Sequence, residues 1–420
     1  MPEVPGAAVS VEAIAGARER IADVARVTPV VDSATLTDLI AAPVVLKAEN
    51  LQRVGSFKVR GALNKLATLG DRCAAGVVCG SAGNHAQALA LAARARGVPC
   101  AVVMPVDAPV AKVEATSALG ARVTLAGETV TEAIEEARAI AERDGMTFVH
   151  PFDDPDVVCG QGTLGLELLE QIPDLGVVVV PVGGGGLIGG TAVAVRSARP
   201  DVRIVGVQVE RAASMVASLA AGHRVDVSTQ GTIADGIAVK SPGELTLALC
   251  REWVDAVVTV DEEQIAAAMV LLMDKAKLVV EGAGAAGVAA LLAGAVAPPE
   301  SGVTCVVLSG GNVDPGLLAE LARRGESEAG RRHVLFTRVP DRPGGLAALL
   351  NLIAGHGANV VNVTHLREGI GLHVRETGVQ LVLETRSREH AARVIGAMAG
   401  AGYDVVGGLS AAAPEDDEPG

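Results

Sequence analysis

From about residue 10 to 325, short valine-rich runs alternate with alanine-rich stretches whose apolar positions recur at helical spacing. The runs are VVLKAE, GVVCG, PCAVVMP, ARVTLAG, VVVVPVGG, RIVGVQVE and TCVVLSGG, and they read as strands. Regular alternation of strand and helix predicts an α/β fold, a parallel sheet covered by helices. Several runs pass directly into a glycine-rich or Ser-Gly turn and then a helix, and open α/β sheets hold ligands at such carboxyl ends.

The pattern resets once. Residues 322–332, ARRGESEAGRR, are charged and glycine-punctuated with no apolar periodicity. They predict a linker at 326–332 after a first region of 1–325. Beyond it HVLFTRV, PGGLAALLNLIAGHG, NVVNVTHL, HVRETGVQLVLET, SREHAARVIGAMAGAG and YDVVGG follow one another. That order, strand, helix, strand, strand, helix, strand, is the ferredoxin-like βαββαβ unit, predicted over 333–408. The tail 409–420 ends in AAAPEDDEPG, acidic and without apolar anchors, and is expected to be disordered.

At 420 residues the chain exceeds what one hydrophobic core supports, so more than one domain is expected. Hydrophobic residues make up 50% and aromatics 1%, which leaves Ala, Val, Leu and Ile to fill the cores. A net charge of -14, with one Trp and one Tyr, argues against nucleic acid as a partner. Six cysteines lie scattered in apolar stretches without metal-ligand spacing and read as reduced thiols of a cytoplasmic protein. No run approaches the roughly 18 apolar residues of a membrane span, so neither membrane insertion nor export is expected.

Four strand-to-helix loops carry candidate chemistry. In GSFKVRGA, residues 55–62, Lys58 follows Phe57 among small residues. A buried lysine with a lowered pKa can form a Schiff base with an aldehyde cofactor and serve afterwards as a base; the alternative is an ordinary surface lysine of the helix. GSAGNHAQALALAA, residues 80–93, opens a helix with Ser81, Gly83, Asn84 and His85. Its amides and short polar side chains suit a carboxylate, or alternatively a simple helix cap. VVVVPVGGGGLIGG, residues 177–190, places four glycines between a buried strand and a helix, as a phosphate cradle does. It has neither the spacing of a dinucleotide site nor that of a P-loop. VVLSGGNVD, residues 306–314, sets Ser309 at a strand's carboxyl end, where a hydroxyl can meet a ring nitrogen.

Taken in order, SFKVRGA, SAGNHAQ, VGGGGL and SGGN resemble the fold type II (tryptophan synthase β-like) pyridoxal-phosphate enzymes, within them the threonine dehydratase (threonine ammonia-lyase) branch. The resemblance implies that 1–325 is a catalytic region of two open α/β subdomains, the smaller, of about 50–155, inserted in the larger, with pyridoxal 5'-phosphate as cofactor. It implies that Lys58 bonds the cofactor, with Phe57 beside it. Asn84 would contact the phenolic oxygen, Gly183, Gly184, Gly185, Gly186 and Leu187 the phosphate, and Ser309 the pyridine nitrogen. TIADGIAV and VVEGAGAAG would put Gly236 and Glu281 near the ring. Ser81, Ala82, Gly83, Asn84 and His85 would hold the substrate carboxylate. The implied reaction is β-elimination of L-threonine to 2-oxobutanoate and ammonia, with L-serine giving pyruvate, on the way to isoleucine.

Two departures narrow this. Similar serine racemases have a second serine where Ala82 stands; alanine exchanges no proton, so a lyase without efficient racemisation is expected. Those racemases also hold a divalent ion through two carboxylates. Glu210 matches one, but Val216 stands where the other would be, so no metal is expected.

The C-terminal unit, through DRPGGLAALLNLIAGHGANVVNV, resembles an ACT domain, an amino-acid-sensing module. Asp341, Arg342, Pro343, Gly344 and Gly345 form the turn where such domains bind effectors, with isoleucine, valine or no ligand all open. The turn otherwise reads as a helix start with Pro343 in its first turn. Relatives imply a homodimer or homotetramer. Two other readings stand beside the leading one: a serine-preferring dehydratase, and an amino-acid sensor with a vestigial catalytic domain.

Overall fold

The structure, a computed structural model, describes residues 8–229, 231–366 and 375–407, so the expected disordered tail lies outside the described residues. The chain divides into two compact units, Met1–Val313 and Asp314–Gly420.

In the first unit β1 (Val30–Asp32) and β2 (Val44–Ala48) begin one sheet, and β3 (Val77–Gly80), β4 (Cys100–Met104), β5 (Arg122–Leu125) and β6 (Thr147–Phe148) form another. The chain then returns to the first sheet with β7 (Leu175–Pro181), β8 (Arg203–Val209), β9 (Ala256–Val260) and β10 (Val303–Leu308). The strand orders are β1-β2-β10-β7-β8-β9 and β5-β4-β3-β6. Every pair is parallel except β1 with β2. Strands covered by helices on both faces need apolar residues at every position, and so β4 is buried throughout and β7 at all but one position. This is why the valine runs show no alternation.

Small residues let the covering helices approach closely. A Cβ on Gly160 would fall 2.6 Å from the Cα of Gly61, and one on Gly190 would fall 2.4 Å from the carbonyl oxygen of Val158. Helices Lys58–Leu69, Pro155–Gln171 and Gly186–Ala198 therefore stack backbone to backbone, and they bring the loops before and after them to the carboxyl ends of β3, β7 and β10.

The second unit begins with the helix Pro315–Glu328, so residues 322–328 of the charged stretch are helical, including the first three of the expected linker 326–332. Asp314 caps it, accepting from the amides of Gly316 at 2.7 Å and Leu317 at 3.3 Å. Leu321 is its one buried residue, and the half beyond Ala322, residues 323–328, has no apolar side chain to mark it in the sequence. Then β11 (Arg332–Pro340), the helix Gly345–Gly355, β12 (Asn359–Leu366), β13 (Glu376–Glu384) and the helix Arg388–Gly400 follow, with the antiparallel order β11-β13-β12. The strand expected in YDVVGG contracts to a single bridge, Phe336 with Val406, with N–H···O distances of 2.8 Å in both directions. Gly407, at φ 87°, turns the chain out of extended conformation immediately afterwards.

Candidate functional site

A cavity of about 740 Å³ lies in the first unit, and all four loops line it. Lys58 heads the helix Lys58–Leu69, and the loop before it is stapled to the loop after β10. Phe57 donates its N–H to the Ser309 carbonyl at 3.1 Å, Gly311 to the Gly55 carbonyl at 2.9 Å, and Ser56 bridges Gly310. Val54, at φ 51°, and Gly55, at φ 72°, turn the backbone into this geometry.

The Lys58 Nζ donates to the Pro151 carbonyl at 2.9 Å. Burial lowers its pKa to about 8, against the opposing pull of Glu281. An amine of this kind is partly neutral, and therefore nucleophilic and basic, near physiological pH. Behind it Arg60 is enclosed by Glu49 and Glu167, with Nη2 2.8 Å from the former and Nη1 2.6 Å from the latter.

The turn after β3 has Gly83 as the N-cap residue of the helix Asn84–Arg96, and no side chain caps that helix. The capping alternative for Ser81 and Asn84 is thereby set aside, and the first-turn amides keep their capacity for an anion. Ser81, Ala82, Gly83, Asn84 and His85 all line the cavity. Asn84 donates Nδ2–H to Glu281 at 2.7 Å, and its Oδ1 accepts from Asn312 at 2.6 Å. His85 is buried and meets the Val149 carbonyl through Nε2 at 3.1 Å. Burial first, then Lys58, lowers its pKa to about 3, so the ring is neutral.

The glycine loop follows β7. Gly185, at φ 94°, is the N-cap residue of the helix Gly186–Ala198, again with no side-chain cap. A Cβ on Gly184 would lie 2.3 Å from Cγ of Phe152, and one on Gly185 would lie 2.7 Å from Cε of Met215. Thr246 Oγ1 donates to the Gly184 carbonyl at 2.6 Å and so turns that carbonyl away from service as a ligand group. Backbone N–H groups at the positive end of a helix remain.

Ser309 is 3% exposed, lines the cavity, and its Oγ has no hydrogen-bond partner among the described residues. Gly236 and Glu281 line it too. Burial first and Asp235 second raise the Glu281 pKa to about 7, while Asn84 and Lys112 oppose the shift. The cavity thus pairs an acid and a base that both titrate near neutrality.

Asn312, His150, Phe152, Lys112 and Asp235 also line the cavity, and sequence reasoning missed them. Asn312 sits inside the SGGN motif, where it was legible. The ion pair of Lys112 with Asp235, 2.9 Å long, joins residues far apart in the chain and leaves no local signal. Glu210 is exposed, and no group of His, Cys, Asp and Glu suited to a metal occurs among the described residues. No helix among the described residues is long and apolar enough to cross a membrane.

In the second unit the turn Asp341–Gly345 follows β11. The Asp341 amide donates to the Arg375 carbonyl at 2.8 Å. Gly344 has φ 87°, and a Cβ on Gly345 would lie 2.3 Å from the Pro340 carbonyl oxygen. Both glycines are therefore structural requirements of the turn. Pro343 precedes the helix rather than standing in its first turn.

Comparison with known proteins places residues 21–310 in the family described as "Pyridoxal-phosphate dependent enzyme" and residues 333–407 in the ACT domain family. The chain is similar to an L-threonine ammonia-lyase of Thermotoga maritima, 44% identical over 398 residues, 94% of this chain and 99% of the relative. Among solved structures it is similar to maize serine racemase, with TM-score 0.72, 35% identity, and coverage of 76% of this chain and 99% of that one. A threonine deaminase from T.th. gives TM-score 0.69 and 43% identity over 73% of this chain and 99% of that one.

Proposed function

Because the chain belongs to the pyridoxal-phosphate dependent enzymes and carries an ACT domain, we propose that it converts L-threonine to 2-oxobutanoate and ammonia, and L-serine to pyruvate. The observation that carries this reading is 44% identity over nearly the full length of an L-threonine ammonia-lyase. It is supported by a cavity in which Lys58, the uncapped Ser81–His85 turn, the glycine loop and Ser309 all meet.

The residues present fit the cofactor. The side-chain-free cradle Gly183–Gly186 with Leu187 suits the phosphate, and the unpartnered Ser309 hydroxyl suits the ring nitrogen. Lys58 would bond it, with Phe57, Asn84, Gly236 and Glu281 around the ring. When bound, the cofactor supplies an electron sink for the bonds at the substrate Cα.

The protein's own groups do the rest. Ser81, Ala82, Gly83, Asn84 and His85 bind the substrate carboxylate at an uncapped helix start. Lys58 Nζ, neutral in an appreciable fraction near pH 7, takes the Cα proton and holds it. Unlike a carboxylate, the neutral Ser309 hydroxyl would not hold a proton on the ring nitrogen, which would favour elimination over transamination. Ala82 offers no second acid or base, which favours a lyase over a racemase. Glu281 and Asn312 fix the Asn84 amide between them.

The product feeds isoleucine formation, and an amino acid bound at Asp341–Gly345 regulates it. A homodimer or homotetramer in the cytoplasm completes the reading. The test is 2-oxoacid release from L-threonine and L-serine by the cofactor-loaded chain, with and without L-isoleucine. Release from L-threonine, and none from Lys58→Ala, supports the proposal; activity on neither substrate sinks it. Substrates that differ by one methyl separate by ~1–3 kcal/mol, so kcat/KM decides between threonine and serine preference.

A further inference from the structure

His150, Pro151 and Phe152 line the cavity side by side, and none of the roles above uses the His150 side chain. The Pro151 carbonyl accepts from Lys58 Nζ at 2.9 Å. The Phe152 ring fills the space that a Cβ on Gly184 would take. Between them His150 stands edge-on to Phe152, with ring centroids 4.7 Å apart and an interplanar angle of 85°, and it lines the cavity.

Its protonation state follows from its contacts. His150 Nδ1 accepts the backbone N–H of Asp153 at 2.8 Å and of Phe152 at 3.3 Å. A backbone N–H only donates, so Nδ1 carries the lone pair and the ring proton is on Nε2. Burial chiefly, with Arg138 and Lys58 adding to it against Asp153, lowers the pKa to about 4, and the ring is neutral. No described residue hydrogen-bonds to Nε2, so Nε2–H is a fixed, uncharged donor on a cavity wall.

Of the substrate's polar groups, the carboxylate goes to the Ser81–His85 turn and the amino-bearing carbon to Lys58. The β-hydroxyl still needs a partner. We infer that His150 is a specificity-determining residue whose Nε2–H donates to the β-hydroxyl oxygen of the substrate, an inference that rests on the threonine reading above. A neutral imidazole gives up no proton here; the hydrogen bond aims the leaving oxygen and selects amino acids that carry one.

The experiment compares wild type, His150→Asn and His150→Gln, all loaded with cofactor. The asparagine side chain would place Oδ1 near the former Nδ1 and keep the two backbone amides satisfied while removing the donor. Glutamine would restore an N–H near the position of Nε2. Removing a donor to a bound hydroxyl predicts a ~10–100-fold fall in kcat/KM for L-threonine in His150→Asn. The inhibition constant of L-2-aminobutyrate, which lacks the hydroxyl, is expected to stay within ~3-fold, and His150→Gln is expected to recover at least part of the loss. Equal losses for both ligands, or no loss for threonine, overturn the inference. Independently of turnover, 15N NMR of the wild-type chain is expected to show His150 as the neutral Nε2–H tautomer at neutral pH. An imidazolium or an Nδ1–H tautomer overturns it. A wild-type chain inactive on L-threonine overturns the substrate reading and this inference with it, whereas an active wild type with parallel losses overturns this inference alone.

Discussion

Replacing Glu167 with Gln unbalances the charge cluster behind Lys58. Lys47, Glu49, Arg60 and Glu167 are all buried, two positive and two negative. Glu167 is shared: Oε2 lies 2.5 Å from Lys47 Nζ and Oε1 lies 2.6 Å from Arg60 Nη1. Glutamine keeps the volume and loses the charge, which leaves one uncompensated cation in the interior. Breaking a buried pair in this way costs about 3–5 kcal/mol. Lys47 limits the damage, because burial already lowers its pKa and Glu167 is the largest opposing influence; without Glu167 it sheds its proton more readily. We therefore expect the lower end, about 3 kcal/mol, read as a shift in the urea unfolding midpoint followed by circular dichroism. Adding Lys47→Met restores neutrality, and the double variant is expected to recover at least about 1.5 kcal/mol relative to the sum of the single changes. A cost below about 1 kcal/mol, or strict additivity, would refute the reasoning.

Three further outcomes follow from individual residues. Val54 is a β-branched residue at φ 51°, so Val54→Asn is expected to raise the unfolding midpoint by the equivalent of about 0.5–1 kcal/mol; a lower midpoint counts against stored strain. The folded state raises the Glu281 pKa from 4.5 to about 7, so it binds more protons than the unfolded chain between those values, and this residue's contribution is present at low pH and lost as pH rises through about 7. Glu281→Gln should then melt higher than wild type at about pH 8 and nearly with it at about pH 4.5, in cofactor-free protein; the opposite order contradicts the assignment. Gly345→Ala drives a Cβ against the Pro340 carbonyl and is expected to destabilise the C-terminal unit by about 1–3 kcal/mol, seen as an earlier melting transition, while a change under about 0.5 kcal/mol would show that the turn relaxes freely.

Much of the architecture, and the four loops that line the cavity, were legible because their signals are local. Each of the four loops is a strand-to-helix junction, and the residues that make such a junction, the Lys58 turn, Ser81–His85, Gly183–Gly186 and Ser309, lie within a few positions of one another. What the sequence hid depends on pairing across distance. Asn312 acquires its meaning from Asn84, His150 from the backbone it caps and the cavity it borders, and Lys112 from Asp235. The helix Pro315–Glu328 was hidden for a different reason. Its apolar residues stop at Ala322, so its second half shows no period, and its start signal, Asp314 followed by Pro315, was the cue to read.

The central claim is that Lys58 is the residue that bonds the cofactor. Borohydride reduction of the pyridoxal-phosphate-loaded chain, followed by peptide mass mapping, tests it most directly. The account predicts a phosphopyridoxyl mass on the peptide containing Lys58 and on no other lysine. A label on a different lysine, or a loaded chain in which Lys58 stays unmodified, would contradict it.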